Sequence, residues 1–406
     1  MTTPAKPDQP EYTAWTLLTR SPIRFHLLLF LIARTVMNSG FRMVYPLLPV
    51  FARGVGVDPS QVQLAISARS AVGLLSPLIG PAADQWGRKR AMLAGVGLFV
   101  ATMAMVFIWP TYPALFIALV MTLVSKMLFD PATYAYLGDK VDYRQRGLVV
   151  GISEFGWSGA FLIGIPILGW LIERGGWTTP FLALALVGVG IGILVWRTLP
   201  PDHPSERSQT SLLSGARQVL TDPVTLAGIG IGFCISGSNE VVNIIFGVWM
   251  DDVFAVQLAT LAIASVIIGA AELGGEGLIA GFADRVGKRR IVGIGLVLYA
   301  VSSFLLPVLG TSLEGALVGF FLFYLGFEFS LVATLPLLTE LAPNARATLM
   351  SINATGHLLG RLIGSLVGPA LIVSGLGANA ALAGILNLIG LALLMFFVHE
   401  KTVDSR

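Results

Sequence analysis

Eleven charged side chains stand well inside long apolar runs of this sequence. The bases are Arg34, Arg42, Arg69, Lys126 and Arg361; the acids are Asp130, Glu154, Glu240, Glu272, Glu276 and Glu328, and His357 adds a twelfth ionisable group. At the centre of a lipid-facing helix each charge costs roughly 2.5–3.5 kcal/mol, so eleven would cost about 30 kcal/mol. That exceeds a typical folding stability of about 5–15 kcal/mol. The charges must therefore line water, pair with one another or titrate to neutrality, and an aqueous cavity between the spans is the expected substrate site. Basic groups at mid-membrane suit a carboxylate, phosphate or sulfate. Acids that are charged at one face and neutral at the other suit proton carriage.

The elements that position these groups follow from composition and pattern. The chain is 55% hydrophobic and 12% charged, where a soluble domain carries about 25% charged residues. Apolar runs long enough to span a bilayer recur along its whole length. Twelve are predicted, near 25–51, 61–83, 91–109, 114–137, 147–172, 178–196, 224–250, 258–282, 291–309, 315–338, 347–373 and 380–398. With the N-terminus inside, 19 bases fall in inner segments and only Arg53 and Arg174 in outer loops. That asymmetry predicts both termini in the cytoplasm. The net charge of +3 is explained by these short inner loops rather than by nucleic acid. Polar residues 1–24 read as a cytoplasmic tail, not a cleaved signal. The lone Cys234 gives neither a disulfide framework nor a metal cluster.

On helical spacing, Arg34, Asn38, Phe41, Arg42 and Tyr45 share one stripe, as do Lys126, Asp130, Thr133 and Tyr134. Ser236, Asn239, Glu240 and Asn243 form a third cluster, and Tyr324 with Glu328 a fourth. Structural readings compete with functional ones. Lys126 and Asp130, four apart, suit a private ion pair. Asp130 and Glu154 could pair with loop bases, and Arg42 could snorkel to the outer interface. His357 could be a hydrogen-bonded packing residue. Cross-half salt bridges, such as Arg34 or Arg69 with Glu240 or Glu328, would act as a conformational lock. The first half holds four intramembrane bases against two acids, the second one base against four acids.

The stretch GPAADQWGRKRA at 80–91 has a near twin, AGFADRVGKRRI, that begins at residue 280. Asp84, Gly87, Arg88, Lys89 and Arg90 thereby pair with Asp284, Gly287, Lys288, Arg289 and Arg290. Further on, Arg146, Gly156, Gly164 and Gly175 pair with Arg346, Gly356, Gly364 and Gly375 at the same offset. Two six-helix halves of like orientation form a parallel repeat. The expected division is a tail at 1–24, bundles at 25–196 and 224–398, a cytoplasmic linker at 197–223, and a tail at 399–406. In the linker, Leu212, Leu213, Ala216, Val219 and Leu220 make an apolar stripe that suits either a short helix on the inner membrane surface or a mobile connection.

With these residues in place, nearly the whole chain resembles the major facilitator superfamily. The family's signature loop between helices 2 and 3 is matched by Gly80, Asp84, Gly87, Arg88, Lys89 and Arg90; in the second copy Ala280 replaces the first glycine. The resemblance implies an all-α polytopic fold, twelve transmembrane helices in two six-helix repeats around a central cavity lined by helices 1, 4, 7 and 10. It implies a gating latch at Gly80, Asp84, Gly87 and Arg88, with Asp284 and Gly287 in the second copy. Asp84 would cap a neighbouring helix dipole, and Arg88 would pair with Asp139 or Asp142. The glycine-proline motif of the family's drug/proton antiporters is degenerate on helix 5, where Gly164, Pro166 and Trp170 stand; GSLVGP at 364–369 matches its core better, on helix 11. The family's helix-4 arginine is missing, with Lys126 the nearest candidate.

The expected function is alternating-access secondary transport, with proton-coupled efflux of an amphipathic small molecule carrying an anionic or zwitterionic group. Substrate would meet Arg34, Asn38, Arg42, Tyr45, Lys126, Tyr134, Asn239, Asn243 and Tyr324. Protons would pass through Glu240, Glu328, Asp130, Glu154 and His357. Lipid or lysolipid translocation, and proton-coupled import of a sugar or organic acid, are the alternatives. The chain has no long loop for a further domain, no His/Glu metal spacing and no ATP-binding Gly-Lys-Ser/Thr loop. The expectation is a monomeric inner-membrane carrier, not an enzyme, that needs no cofactor or metal.

Overall fold

Proline and glycine positions dictate how the long apolar runs break. The computed structural model describes residues 23–76, 86–141, 146–201, 212–342 and 346–398; only the backbone is described at 146–148, 150, 212–216, 280–285, 346 and 347. The first span divides into α1 (Arg24–Arg42) and α2 (Val44–Val55), which meet at a 53° bend. Pro46 explains the break, because its ring clashes with the carbonyl four residues earlier, that of Arg42, and offers it no N–H. The bend thus falls beside Arg42 and Tyr45.

Helix α3 (Pro59–Gly73) is the described part of the second span. Next come α4 (Arg88–Ile108), α5 (Tyr112–Lys140), α6 (Arg146–Gly159), α7 (Ile165–Gly175) and α8 (Thr179–Thr198). One π turn, Ala160–Gly164, joins α6 to α7 in the fifth span, just ahead of Pro166. A proline's missing N–H is a recognised cause of such breaks. The linker contributes α9 (Leu212–Thr221). The second half follows as α10 (Pro223–Phe254), α11 (Leu258–Val286), α12 (Lys288–Leu309), α13 (Leu313–Leu341), α14 (Arg346–Leu371) and α15 (Leu376–Phe397). Among the described residues, ten helical stretches are long and apolar enough to span a membrane, and the bent α1–α2 pair makes eleven. With α3 they coincide with the twelve predicted runs.

The repeat is written in the backbone. Gly87 and Gly287 carry φ of 93° and 90° and each starts the helix that follows. Gly176 and Gly375 carry φ of 85° and 88°, so the partner of Gly375 is Gly176 and not Gly175. Gly56 and Ala255 end the first spans of the two halves in left-handed conformation. These pairs recur at offsets of 199 or 200 residues, as two copies of one bundle require.

The halves meet along three seams: α2 on α10, α3 on α14, and the π turn with α7 on α11. On the side of the molecule bearing Gly56 and Gly176 they are tightly closed. The Gln63 amide donates to the Ile244 carbonyl at 3.4 Å, and Arg53 pairs with Asp251 at 2.6 Å. Gly247 faces the backbone of Tyr45 and Pro46, where a Cβ would stand 2.7 Å from the Pro46 oxygen. Helix α9 does not lie on the membrane surface alone. Its Val219 is fully buried in a small apolar cluster with Leu338, Ala342 and Leu349 of the second half.

Candidate functional site

The intramembrane charges resolve into three groups, and mutual pairing is the main solution to their burial cost. The first lies within the N-terminal half. Arg34 of α1 grips Glu154 of α6 through two bonds, at 3.1 and 3.2 Å, and approaches Asp130 of α5 at 3.5 Å. Its guanidinium also sits 4.7 Å from the Tyr134 ring centre, while the Tyr134 hydroxyl donates to Glu154. Lys126 bonds Asp130 at 2.8 Å and donates to Asn38, whose own amide donates to the Gly156 carbonyl at 3.0 Å. Asp130 and Glu154 are therefore held by Arg34 and Lys126, where loop bases were the rival expectation. The Glu154 side chain is 43% exposed and that of Arg34 only 4%, so the group is open at its acidic edge.

The second group bridges the halves. Arg42 is buried and forms a two-pronged pair with Glu272 of α11, at 2.8 and 2.5 Å; it also donates to the Trp157 carbonyl at 3.0 Å. Its guanidinium stacks between Trp157 and Phe161, 4.1 and 3.8 Å from their ring centres. Snorkelling is thus excluded in this conformation. Arg69 stacks on Phe41 and donates to the Phe41 carbonyl at 2.7 Å and to the Tyr45 hydroxyl at 2.8 Å. Tyr45 in turn donates to Glu240 of α10 at 2.9 Å, and Arg361 of α14 completes that carboxylate's shell at 3.1 Å. The anticipated contact between Arg69 and Glu240 exists, through a tyrosine.

The third group belongs to the C-terminal half. Glu328 of α13 is 4% exposed, and its Oε2 has no hydrogen-bond partner among the described residues. Glu272 and Glu276 lie within electrostatic reach of it. Close helix packing enforces this crowding: a Cβ at Gly275 would stand 3.0 Å from that of Glu328. Nearby, Tyr324 donates to Asn243 at 2.5 Å, and His357 shares a 2.7 Å bond with Ser236.

Such pairing changes the charge balance read from sequence. Two of the four bases in the first half, Arg42 and Arg69, are engaged at the seam with acids of the second half. The remaining two, Arg34 and Lys126, are matched by Asp130 and Glu154. Glu276 and Glu328 remain without a salt bridge among the described residues.

At the sequence motif, Arg88 pairs with Asp139, and its repeat Lys288 pairs with Glu340. Gly80 and Asp84 fall outside the described residues, and the Asp284 side chain is not described; Gly87 and Gly287 occupy the two tight turns. Sequence reasoning placed Glu272, Glu276 and Arg361 inside the membrane without assigning them sites, gave Arg69 only a possible cross-half lock and Ser236 only a place in a polar cluster, and left out Trp157 and Phe161. The i, i+4 spacing of Trp157 and Phe161, opposite the Arg34–Arg42 stripe, was the available signal for an aromatic clamp.

The chain also compares clearly with known proteins. The family model of the Major Facilitator Superfamily matches residues 30–275 and 228–406. The uncharacterized MFS-type transporter YceJ of Bacillus subtilis is 24% identical over 341 residues, 83% of this chain and 86% of the relative. Multidrug resistance protein 2 of the same organism is 23% identical over 373 residues, 89% of this chain and 92% of its own length. The multi-drug resistance efflux pump PmrA of Streptococcus pneumoniae is 24% identical over 348 residues, covering 82% and 86%. Two repeated six-helix halves, the paired loop motif and these matches place the chain in the major facilitator superfamily.

Proposed function

We propose that this protein is a proton-coupled secondary transporter of the bacterial inner membrane. It exports an amphipathic small molecule that carries an anionic or zwitterionic group. The two relatives named for drug resistance and efflux support export. The positive-inside distribution puts the face bearing Gly87 and Gly287 in the cytoplasm. The Gly56 face is then the outer one, and its closed seams leave Glu154 reachable from inside. The observation that carries proton coupling is Glu328: a buried carboxyl with an unpartnered oxygen, beside two further acids. A charge there is costly, whereas a proton makes it tolerable. Arg34, Lys126, Asp130 and Glu154 form the substrate's charged contact, which a ligand enters by exchanging with the exposed Glu154.

Purified protein in vesicles with an imposed pH gradient tests this reading. Glu328→Gln, a neutral mimic of the protonated acid, is expected to lower gradient-driven flux by about 100-fold while substrate still exchanges across the membrane without a gradient, a rate loss of a few kcal/mol. Undiminished proton-driven flux in that variant would sink the coupling assignment. Lipid or lysolipid translocation is the second reading. It is favoured by an apolar recess of about 210 Å³ bounded by Thr35, Ser39, Ile163, Leu168, Leu184 and Val187. Movement of a labelled lysolipid in the same vesicles distinguishes it.

A further inference from the structure

The surroundings of the Arg42 guanidinium have the chemistry of a site for an organic cation. Two aromatic faces, Trp157 and Phe161, lie within 4.1 Å; a carboxylate, Glu272, grips it at two points, and a carbonyl accepts a further bond at 3.0 Å. Aromatic rings and an acid converging on one planar cation are how guanidinium and ammonium ligands are recognised. Here the occupant is the protein's own side chain. Arg42 and the rings come from the N-terminal half and Glu272 from the other, so rocking of the halves separates the pair.

Opening this pair exposes two opposite charges in a dry interior. A ligand with only a cation would satisfy Glu272 and strand Arg42; one with only an anion would do the reverse. A ligand carrying both satisfies both, because buried charges are tolerated when paired and penalised when one partner is lost. We therefore propose that Arg42 and Glu272 form a zwitterion-binding site held in self-occupied form. The ligand's delocalised cation takes the place of Arg42 between Trp157, Phe161 and Glu272, and its carboxylate-like group binds the displaced Arg42.

The site adjoins the cluster already assigned to substrate. Lys126 lies 5.9 Å from the Trp157 ring centre, and Asn38 bonds both Lys126 and the carbonyl of Gly156. One helical turn along α11 from Glu272, the half-buried Glu276 lies within electrostatic reach of both Glu154 and Arg42. A cationic group entering past Glu154 thus meets Glu276 before Glu272. The inference rests on the transport reading for its biological sense, and binding tests it separately.

The experiment uses the full-length protein in a nonionic detergent and three matched probes: 4-guanidinobenzoate, phenylguanidinium and benzoate. Calorimetry is expected to show the zwitterion binding at least about tenfold tighter than either relative, and Glu272→Gln abolishing that preference. Trp157→Leu should weaken it severalfold and Trp157→Phe should restore most of the loss. Equal binding of all three probes, binding of none, or zwitterion affinity unchanged in Glu272→Gln overturns the proposal. Should Glu272→Gln fold poorly, the Arg42→Gln/Glu272→Gln double variant, which leaves no orphaned charge, must also lose the preference. Retained preference there overturns it equally. Proton-driven flux is measured in parallel. Binding without flux sinks the transport reading alone, and flux without zwitterion binding sinks this one alone.

Discussion

Tyr45 is the smallest device on which the interior depends. One hydroxyl accepts from Arg69 and donates to Glu240, so it carries an attraction between groups of opposite halves that do not otherwise touch. Removing it leaves the fully buried carboxylate with Arg361 and deprives Arg69 of a partner. A hydrogen bond to a charged group contributes about 1.5–3 kcal/mol, and Tyr45→Phe is expected to destabilise by about that amount. Thermal melting of the purified variant checks it; an unchanged or higher midpoint would remove the hydroxyl from this role. The presence of Arg69 and Glu240 inside the membrane was legible in the sequence, because charges in apolar runs demand an explanation. Their association was one of several cross-half contacts expected, but the tyrosine that joins them was not legible, since residues 24 and 195 positions apart from Tyr45 meet only through the docking of spans. The pairing of Lys126 with Asp130 was legible, being a matter of one helical turn, but it is not private: Arg34 and Asn38 share it.

At the scale of elements, apolar length and positive charge announced twelve spans, and apart from the second, whose predicted end lies outside the described residues, the spans begin and end within a few residues of that reading. The internal breaks carried signals of a different kind. Pro46 marks the bend beside Arg42, and Pro166 follows the π turn; a pattern search for apolar runs passes over both. The two tight turns at Gly87 and Gly287 were visible as a repeated motif, and the structure adds the reason for the residue type. With φ of 93° and ψ of 153°, Gly87 lies in a region essentially reserved for glycine. Gly87→Ala and Gly287→Ala are each expected to cost about 1–3 kcal/mol. Melting of the single variants tests this, and two indifferent substitutions would show that the turns relax. The effects should add, because the turns lie in separate halves.

Across the whole molecule, the three charged links between the halves described above share one polarity. Arg42 faces Glu272, Arg69 reaches Glu240 through Tyr45, and Arg53 faces Asp251; every base belongs to the first half and every acid to the second. The Arg53–Asp251 pair is exposed on the basic side and is worth at most about 1 kcal/mol, so it biases closure of the Gly56 face rather than locking it. Reversing it with Arg53→Glu should shift the population toward opening at the Gly56 face by roughly fivefold, and Asp251→Arg on that background should restore it. Spin labels on the Gly56 face of each half would report the separation. Equal distance distributions in all three proteins would deny the pair any part in the equilibrium.

The repeat offset shows how far the copies have parted. Trp157 and Phe161, which clamp a cation in the first half, correspond to His357, which bonds Ser236, and Arg361, which binds Glu240, in the second. The position matching Glu272 is Val72, and the one matching Glu240 is Gly40. Two copies of the first half brought together would set Arg42 against an aliphatic side chain, and each unpaired charge would cost about 3–5 kcal/mol. The halves share a backbone repeat but carry different residues at their seam. Expressed as separate polypeptides, they should find each other and refuse themselves.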